Sequence, residues 1–418
     1  MPYEKAINRR SRALAEVGSV RLSVALLMVA AFVLPASVLL GSYALEIRDL
    51  VIVVCSLFSI FLTLRDRSGW GGPFIVGFVL FSAFSLISVF WASSISDAYI
   101  RLMDLALAVL LGMSIAVNRP SLREVHLILD AFLVGTIIVS AACLWIDRAT
   151  LTGWARLGRT LFESAGSNII EYSCMLIYAQ MYAAYRVFSS KRRVLWAVAF
   201  CLLFVCGLFT GIRKAFVIPL VFLYVYLLIQ NRKDAMKIIG STALIAALVA
   251  LLLFITSQYF TSLSARLMDL FNDILSGAEA VSSGGNSYEE RMWLRQIAWQ
   301  AFLENPVLGL GVGQFRYYSV MHGGPDLYAH NNFLELLANS GIVGFVLYYG
   351  AIALMFRVLW RNLGLGDREC SCFCIFGLAF MISILAMEYG QVDYYQPYYL
   401  LFPFLLSSFI QSLKVRED

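Results

Sequence analysis

Residues 289–315 read EERMWLRQIAWQAFLENPVLGLGVGQF, and residues 328–344 read YAHNNFLELLANSGIVG. The stretch from Glu289 to Gly341 decides the architecture, because it is the one long polar passage in a chain otherwise made of apolar runs. It gathers Arg291, Arg295, Arg316, His322 and His330 between two apolar segments. Arginines offer fixed forks of donors to anionic oxygens, and histidine exchanges protons near neutral pH. A structured loop holding both at a bilayer surface points to an anionic or hydroxylic ligand.

Outward from that loop, the 418 residues are 60% hydrophobic and only 14% charged. A soluble domain carries about 25% charged residues, so the composition defines an integral membrane protein. The runs are long and continuous, which excludes the short alternating segments of a β-barrel. The fold class is therefore all-α and polytopic. The eight cysteines do not form a disulfide framework: Cys55, Cys143, Cys174, Cys201 and Cys206 sit inside apolar runs, where cysteine behaves as a small hydrophobe. Cys370, Cys372 and Cys374 alternate at the start of another run, with no histidine near them in sequence to complete a metal set. The N-terminal segment is basic, but its apolar run is too long for a cleavable signal peptide. The net charge of +5 says little by itself. Membrane lipids are expected partners and nucleic acid is not.

Twelve spans are expected, at about 22–43, 49–64, 73–93, 102–118, 123–146, 168–188, 193–210, 214–230, 237–258, 333–357, 370–388 and 394–412. They divide the chain into spans one to nine (1–258), a large loop (259–332) and spans ten to twelve (333–418). With both termini placed in the cytoplasm, alternation puts 21 of the 32 basic residues on the cytoplasmic side, as the positive-inside rule requires. The basic residues left on the outer face fall mainly in 148–159, 213–214 and the large loop. If these regions converge, they make a basic cavity on the outer face.

Within the large loop, Leu263, Leu267, Leu270 and Ile274 repeat at helical spacing from Ser262 to Leu275, opposite Arg266, Asp269 and Asp273. That pattern predicts an amphipathic helix in the membrane interface. A second helix is expected from Tyr288 to Glu304, ended by Asn305-Pro306. Gly309, Gly311 and Gly313 allow a tight backbone path, and Asn331 is placed to cap the tenth span.

Arg291 and Arg295 stand one helical turn apart and so project from one face. They suit phosphate oxygens; the alternative is that they snorkel, or pair with Glu289 and Glu290. Arg213 and Lys214 share the polar turn TGIRKA between spans seven and eight, either as a binding element or as simple turn charges. Arg156, Arg159 and Arg266 are further cations that could reach the same cavity, or lie in solvated segments. His330 is the acid–base candidate, although a lone histidine also serves as a structural hydrogen-bonder. His322 reads as a loop residue and His126 as structural. The acidic residues of the outer face, including Glu335, Glu388 and Asp393, are scattered in sequence, and no metal-ligand constellation stands out.

These residues resemble the signature region of the O-antigen ligase and polymerase superfamily. The family pattern runs from an arginine in a helix through NPLxGxGxGxF to HNxxLxxxxxxG. Here it is matched by Arg291, Asn305, Pro306, Gly309, Gly311, Gly313, Phe315, His330, Asn331, Leu334 and Gly341. TGIRKA is similar to the family's SRGA element, with Arg213 at its arginine and with Ile212 and Lys214 where the family has Ser and Gly. The motifs cover roughly 70 residues, and the topology covers the whole chain.

The resemblance implies a periplasmic, metal-independent, inverting glycosyltransferase of the GT-C type in the bacterial inner membrane, with no cofactor. Its donor is a glycan on undecaprenyl pyrophosphate. Its acceptor is a sugar hydroxyl of lipid A–core in lipopolysaccharide biosynthesis. Arg213 and Arg291 take the pyrophosphate in this scheme, joined by Arg295, Arg156, Arg159, Lys214 and Arg266, and His330 deprotonates the acceptor. An O-antigen polymerase or a protein O-oligosaccharyltransferase of the same superfamily is the alternative. A secondary anion transporter is the alternative of another class, set against the clustering of charge at one face rather than at mid-membrane.

Overall fold

Fifteen α-helices make up the regular structure among the described residues, with no strand. The computed structural model describes residues 20–63, 71–148, 156–259, 285–364 and 368–414. The first five helices are α1 (Leu22–Ala36), α2 (Ala44–Thr63), α3 (Pro73–Ile87), α4 (Ile95–Asn118) and α5 (Leu122–Asp147). A short α6 (Arg159–Ser164) precedes α7 (Ile169–Ser189), α8 (Arg193–Phe209), α9 (Lys214–Gln230) and α10 (Ala235–Tyr259). Next come α11 (Gly285–Glu304), the short α12 (Phe315–Met321), α13 (Asn332–Arg361), α14 (Arg368–Glu388) and α15 (Pro397–Lys414).

Local chemistry sets many of these boundaries. Ser121 and Glu124 close a reciprocal capping box at the start of α5. Ser94 caps α4 by accepting the Asp97 N–H. Proline opens α3, where a missing N–H costs nothing. The amides of Phe74 and Ile75 would otherwise be orphans of that helix start, and they donate to Ser407 Oγ at 3.0 and 3.2 Å. A serine of α15 thus satisfies the buried beginning of α3.

Each expected span falls on a helix. Six helical segments are long and apolar enough to cross a bilayer: Leu22–Thr63, Pro73–Trp91, Ile95–Asn118, Leu122–Asp147, Asn332–Arg361 and Arg368–Glu388. The first joins α1 and α2 across a short 3-10 turn that breaks at Gly41 (φ 63°, ψ −133°). Shorter apolar helices occupy Arg193–Phe209, Lys214–Gln230 and Ala235–Ala250. The helix α7 falls outside both groups for a physical reason. Its residues from Tyr172 to Tyr185 are all buried, and Tyr172, Tyr178, Tyr182 and Tyr185 give it an aromatic rather than aliphatic surface. It runs through the bundle interior with α15, whose residues Tyr398–Ile410 are buried as well.

Two sequence expectations shift. The fourth span begins not at 102 but with α4 at Ile95, so Arg101 lies within a helix rather than an outer loop. It is largely buried, and its guanidinium stacks 3.3 Å from the centre of the Tyr395 ring while pairing with Asp104 at 2.9 Å. Likewise α2 starts at Ala44, which takes Arg48 into the helix and against Asp49. The expected amphipathic helix at 262–275, with Arg266, lies outside the described residues.

The polar passage has a small core of its own. Leu294, Ile297, Ala298 and Ala301 of α11 pack with Phe315, Ala329 and Ala338, separately from the main bundle core. This second core fixes α11 against the start of α13 and sets which of its faces carries the arginines.

Candidate functional site

The helix α13 is broken one third of the way along, at Gly341 (φ 58°, ψ −164°), a backbone conformation essentially confined to glycine. The break exposes carbonyls and amides that an intact helix would pair internally. The loop 306–311 takes them up. Leu310 N–H donates to the Ala338 carbonyl and Gly311 N–H to the Asn339 carbonyl, both at 2.9 Å. In return Ile342 N–H donates to the Pro306 carbonyl at 2.9 Å and Val343 N–H to the Val307 carbonyl at 3.3 Å. The approach is so close that a β-carbon on Gly309 would sit 2.5 Å from the backbone of Asn339 and of Gly341. The glycine run and the helix glycine, about 30 residues apart in sequence, are two halves of one joint.

That joint is bolted to the bundle. Val312 N–H donates to Ser88 Oγ at 2.9 Å, and Phe315 N–H donates to Asn339 Oδ1 at 2.8 Å. The buried Gln314 side chain accepts from Ser94 N–H at 2.6 Å and donates to the Ser94 carbonyl at 2.9 Å.

Just upstream of α13, His330 adopts a left-handed backbone (φ 52°), and it is one of two non-glycine residues with positive φ among those described. The strain is held from both sides. Ala329 N–H donates to Glu335 Oε2 at 2.8 Å, and Asn331 caps the helix by accepting Leu334 N–H at 3.0 Å. The imidazole is half-buried and lies 4.1 Å, centre to centre, from the Tyr328 ring. It makes no hydrogen bond to the described residues. Burial first, and then the charges of Arg291, Lys214 and Arg295, push its pKa down to about 4. The ring is therefore neutral at physiological pH, with a free lone pair.

Those three cations come from two elements, Arg291 and Arg295 from α11 and Lys214 from the start of α9, and two of them are fixed by one turn. Tyr389 and Gly390 follow α14. The Tyr389 carbonyl accepts from Arg295 Nη2 at 3.2 Å and from Asn331 Nδ2 at 3.3 Å. Arg295 also lies 4.8 Å over the Tyr389 ring. Lys214 donates to the Gly390 carbonyl and, at 3.2 Å, to Gln391 Oε1. Arg291 is exposed and has no hydrogen-bond or ion-pair partner among the described residues, so its guanidinium fork is open. The alternative pairing of these arginines with Glu289 or Glu290 is not what the described residues form.

Below the cations lies a pair of carboxylates. Glu388 and Asp393 are 1% and 2% exposed. Glu388 Oε2 accepts from Tyr349 OH at 2.8 Å, and Asn332 links the two regions by donating to Tyr349 and accepting from Asp393 N–H. The Asp393 carboxyl faces that of Glu388, and no donor N–H or O–H among the described residues reaches its oxygens. Burial raises its pKa, and the charge of Lys214 opposes that rise. Among the described residues no group of three or more His, Cys, Asp or Glu side chains could hold a metal ion.

The structure thus brings together Lys214, Arg291, Arg295 and His330 of the sequence candidates. Arg213 stands beside Lys214 at the N-terminal boundary of α9, half-exposed, and is not among the charges that act on His330. Arg159 is exposed and paired with Glu163 at 2.8 Å. Arg156 is exposed too, and its loop is tied through Leu157 N–H to the Phe209 carbonyl, next to the turn that carries Arg213. Arg316 pairs with Asp326 at 2.8 Å, and His322 bonds the Tyr318 carbonyl at 2.8 Å; both stand on the exposed side of α12. His126 is enclosed by Tyr182, Tyr185 and Phe373. Sequence reasoning assigned no role to the 389–391 turn, Tyr328 or the buried acids. The signal for the acids was Glu388 and Asp393 flanking a short break, YGQV, between two apolar runs.

Fold and site together define a multi-pass helical membrane protein with a cationic, histidine-bearing site where α9, α13 and α15 begin and α14 ends. Residues 197–349 match the family model described as O-antigen ligase, and the matched region contains Lys214, Arg291, Arg295, His330 and both halves of the glycine joint. The match supports the O-antigen ligase/polymerase superfamily, whose members are membrane enzymes of glycosyltransferase type. No curated protein matches the chain.

Proposed function

We propose that the chain is the ligase of that superfamily: an inner-membrane glycosyltransferase that moves O-antigen glycan from undecaprenyl pyrophosphate to a sugar hydroxyl of lipid A–core, inverting the anomeric centre without a metal. The convergence of Lys214, Arg291 and Arg295 on a neutral His330 carries this reading. The cations bind the pyrophosphate, with Arg213 added from the neighbouring turn. The acceptor oxygen attacks the anomeric carbon as His330 takes its proton. The bond from that carbon to the pyrophosphate oxygen breaks, and its electron pair leaves with undecaprenyl pyrophosphate, whose charge the cations stabilise. The GT-C type, the periplasmic orientation of the site and the cytoplasmic placement of both termini belong to the same proposal, as do Arg156, Arg159 and Arg266 as further donor contacts.

The bound donor also tunes the base. Its negative charge offsets the three cations that depress His330, so the imidazole becomes a stronger base once the donor is in place. The ligase is favoured over the polymerase because the chain carries one dominant polar loop; the other candidate, 147–167, is short. The test is transfer by Arg291→Ala and His330→Ala at matched expression. Both abolish transfer if the assignment holds, and wild-type rates in both overturn it.

A further inference from the structure

The left-handed backbone at His330 needs an explanation that lies beyond the cationic cluster. A non-glycine residue in this conformation is strained and persists only where its surroundings over-determine it. On the C-terminal side the Asn331 cap does part of that work. On the N-terminal side the Ala329 N–H donates to a carboxylate that is 3% exposed, Glu335 Oε2 at 2.8 Å. Glu335 stands in the first turn of α13, and its side chain folds back over the helix start and grips the residue before His330. Arg101 and Arg316 are the cations that act on this carboxylate. Arg101 is itself locked by Asp104 and by the face of Tyr395. The clamp is therefore preassembled from α4, α13 and the segment before α15.

We infer that Glu335 is a positioning residue: its carboxylate holds the Ala329 amide and so keeps His330 in the left-handed conformation that aims the imidazole beside Tyr328, Arg291, Arg295 and Lys214. The inference rests on the proposed role of His330 as proton acceptor. It implies a division of labour. Removing the grip displaces the base without touching the cations that bind the donor, because Arg295 and Lys214 are fixed by the Tyr389–Gln391 turn. A displacement on the order of 1 Å at a reacting group costs roughly 100-fold in rate.

The experiment uses the full-length protein in detergent with Glu335→Ala and Glu335→Gln. The amide oxygen of glutamine still accepts the Ala329 N–H, so E335Q tests the hydrogen bond apart from the charge. Three quantities are read: the turnover number for transfer, the affinity for an undecaprenyl-pyrophosphate glycan, and hydrogen–deuterium exchange of peptides spanning 326–333. The expected result is a kcat for E335A reduced on the order of 100-fold, with donor affinity within about twofold of wild type. Exchange should rise at 326–333 but not in the transmembrane helices, and E335Q should recover most of the rate. A wild-type kcat in E335A overturns the inference. So does donor affinity lost in parallel with rate, which marks a merely structural carboxylate, and so does unchanged exchange at 326–333. If the unmodified protein transfers glycan to no acceptor, the proposed function fails instead, while the exchange measurement still decides whether the clamp exists.

Discussion

Gly341→Ala should separate the two halves of the joint, and the structure sets the size of the effect. Alanine at φ 58°, ψ −164° carries the strain of a region that only glycine enters freely, about 1–3 kcal/mol. Its β-carbon would also fall on the Val307 carbonyl and 2.8 Å from Gly309 N. The relief is to move the loop away from the helix, and two of the four hydrogen bonds between 306–311 and 338–343, those of Ile342 and Val343, then fail. Each is worth about 0.5–1.5 kcal/mol net, so losing two adds about 1–3 kcal/mol. The sum is near 4 kcal/mol, and at roughly 2 °C per kcal/mol for a larger chain, Tm falls by about 8 °C. The assay is thermal unfolding in detergent by intrinsic tryptophan fluorescence, with transfer activity measured alongside. Gly323→Ala is the control: its φ is 79°, but a β-carbon there meets nothing within 4 Å. It keeps only the backbone penalty of about 1–2 kcal/mol. A Gly341→Ala protein that melts within about 2 °C of wild type, or no lower than Gly323→Ala, refutes the joint.

Other outcomes follow from the same geometry. In the free protein His330 takes a proton only near pH 4, so kcat/KM for transfer should stay flat from pH 8 to about 5 and fall below that; a midpoint near 6.5 contradicts the depressed pKa. An unfolded histidine is protonated near pH 6.5 and the folded one near 4, so this group makes the protein less stable as pH drops through that interval, which a melting series reads. The kcat profile should show a higher midpoint than the kcat/KM profile, because the donor's charge offsets the cations. Arg291→Ala should weaken donor binding on the order of 10-fold or more, since its fork has no partner among the described residues, and isothermal titration with the lipid-linked donor checks it. Chelation with EDTA should leave transfer unchanged; inhibition reversed by a divalent ion contradicts a reaction carried by Lys214, Arg291 and Arg295.

Much of this was legible in the sequence, for reasons that differ by residue. Capping signals act within four residues, so Asn331 could be read as a helix cap from its place just before an apolar run. The arginine pair of α11 was legible because i, i+4 spacing on a helix fixes a shared face. The glycines were legible as a tight path but not as a joint, because their partner lies in a helix about 30 residues on. Arg101 was misplaced because hydropathy trims a helix at its first charge, while the backbone continues wherever a buried partner such as Tyr395 accepts that charge. Lys214 looked like a companion of Arg213, whereas a carbonyl in the turn after α14 draws its ammonium toward His330. The grip of Glu335 on Ala329 and the meeting of Glu388 with Asp393 were invisible, since burial and packing create them.

The most direct test is transfer by the purified protein in detergent, given undecaprenyl-pyrophosphate glycan with rough lipopolysaccharide or with no second acceptor. Glycan joined to lipopolysaccharide, in a reaction lost in His330→Ala, is the predicted result. Longer glycan on the polyprenyl carrier would make the protein a polymerase and contradict the ligase assignment. Transfer to neither by a folded protein would contradict the glycosyltransferase reading itself.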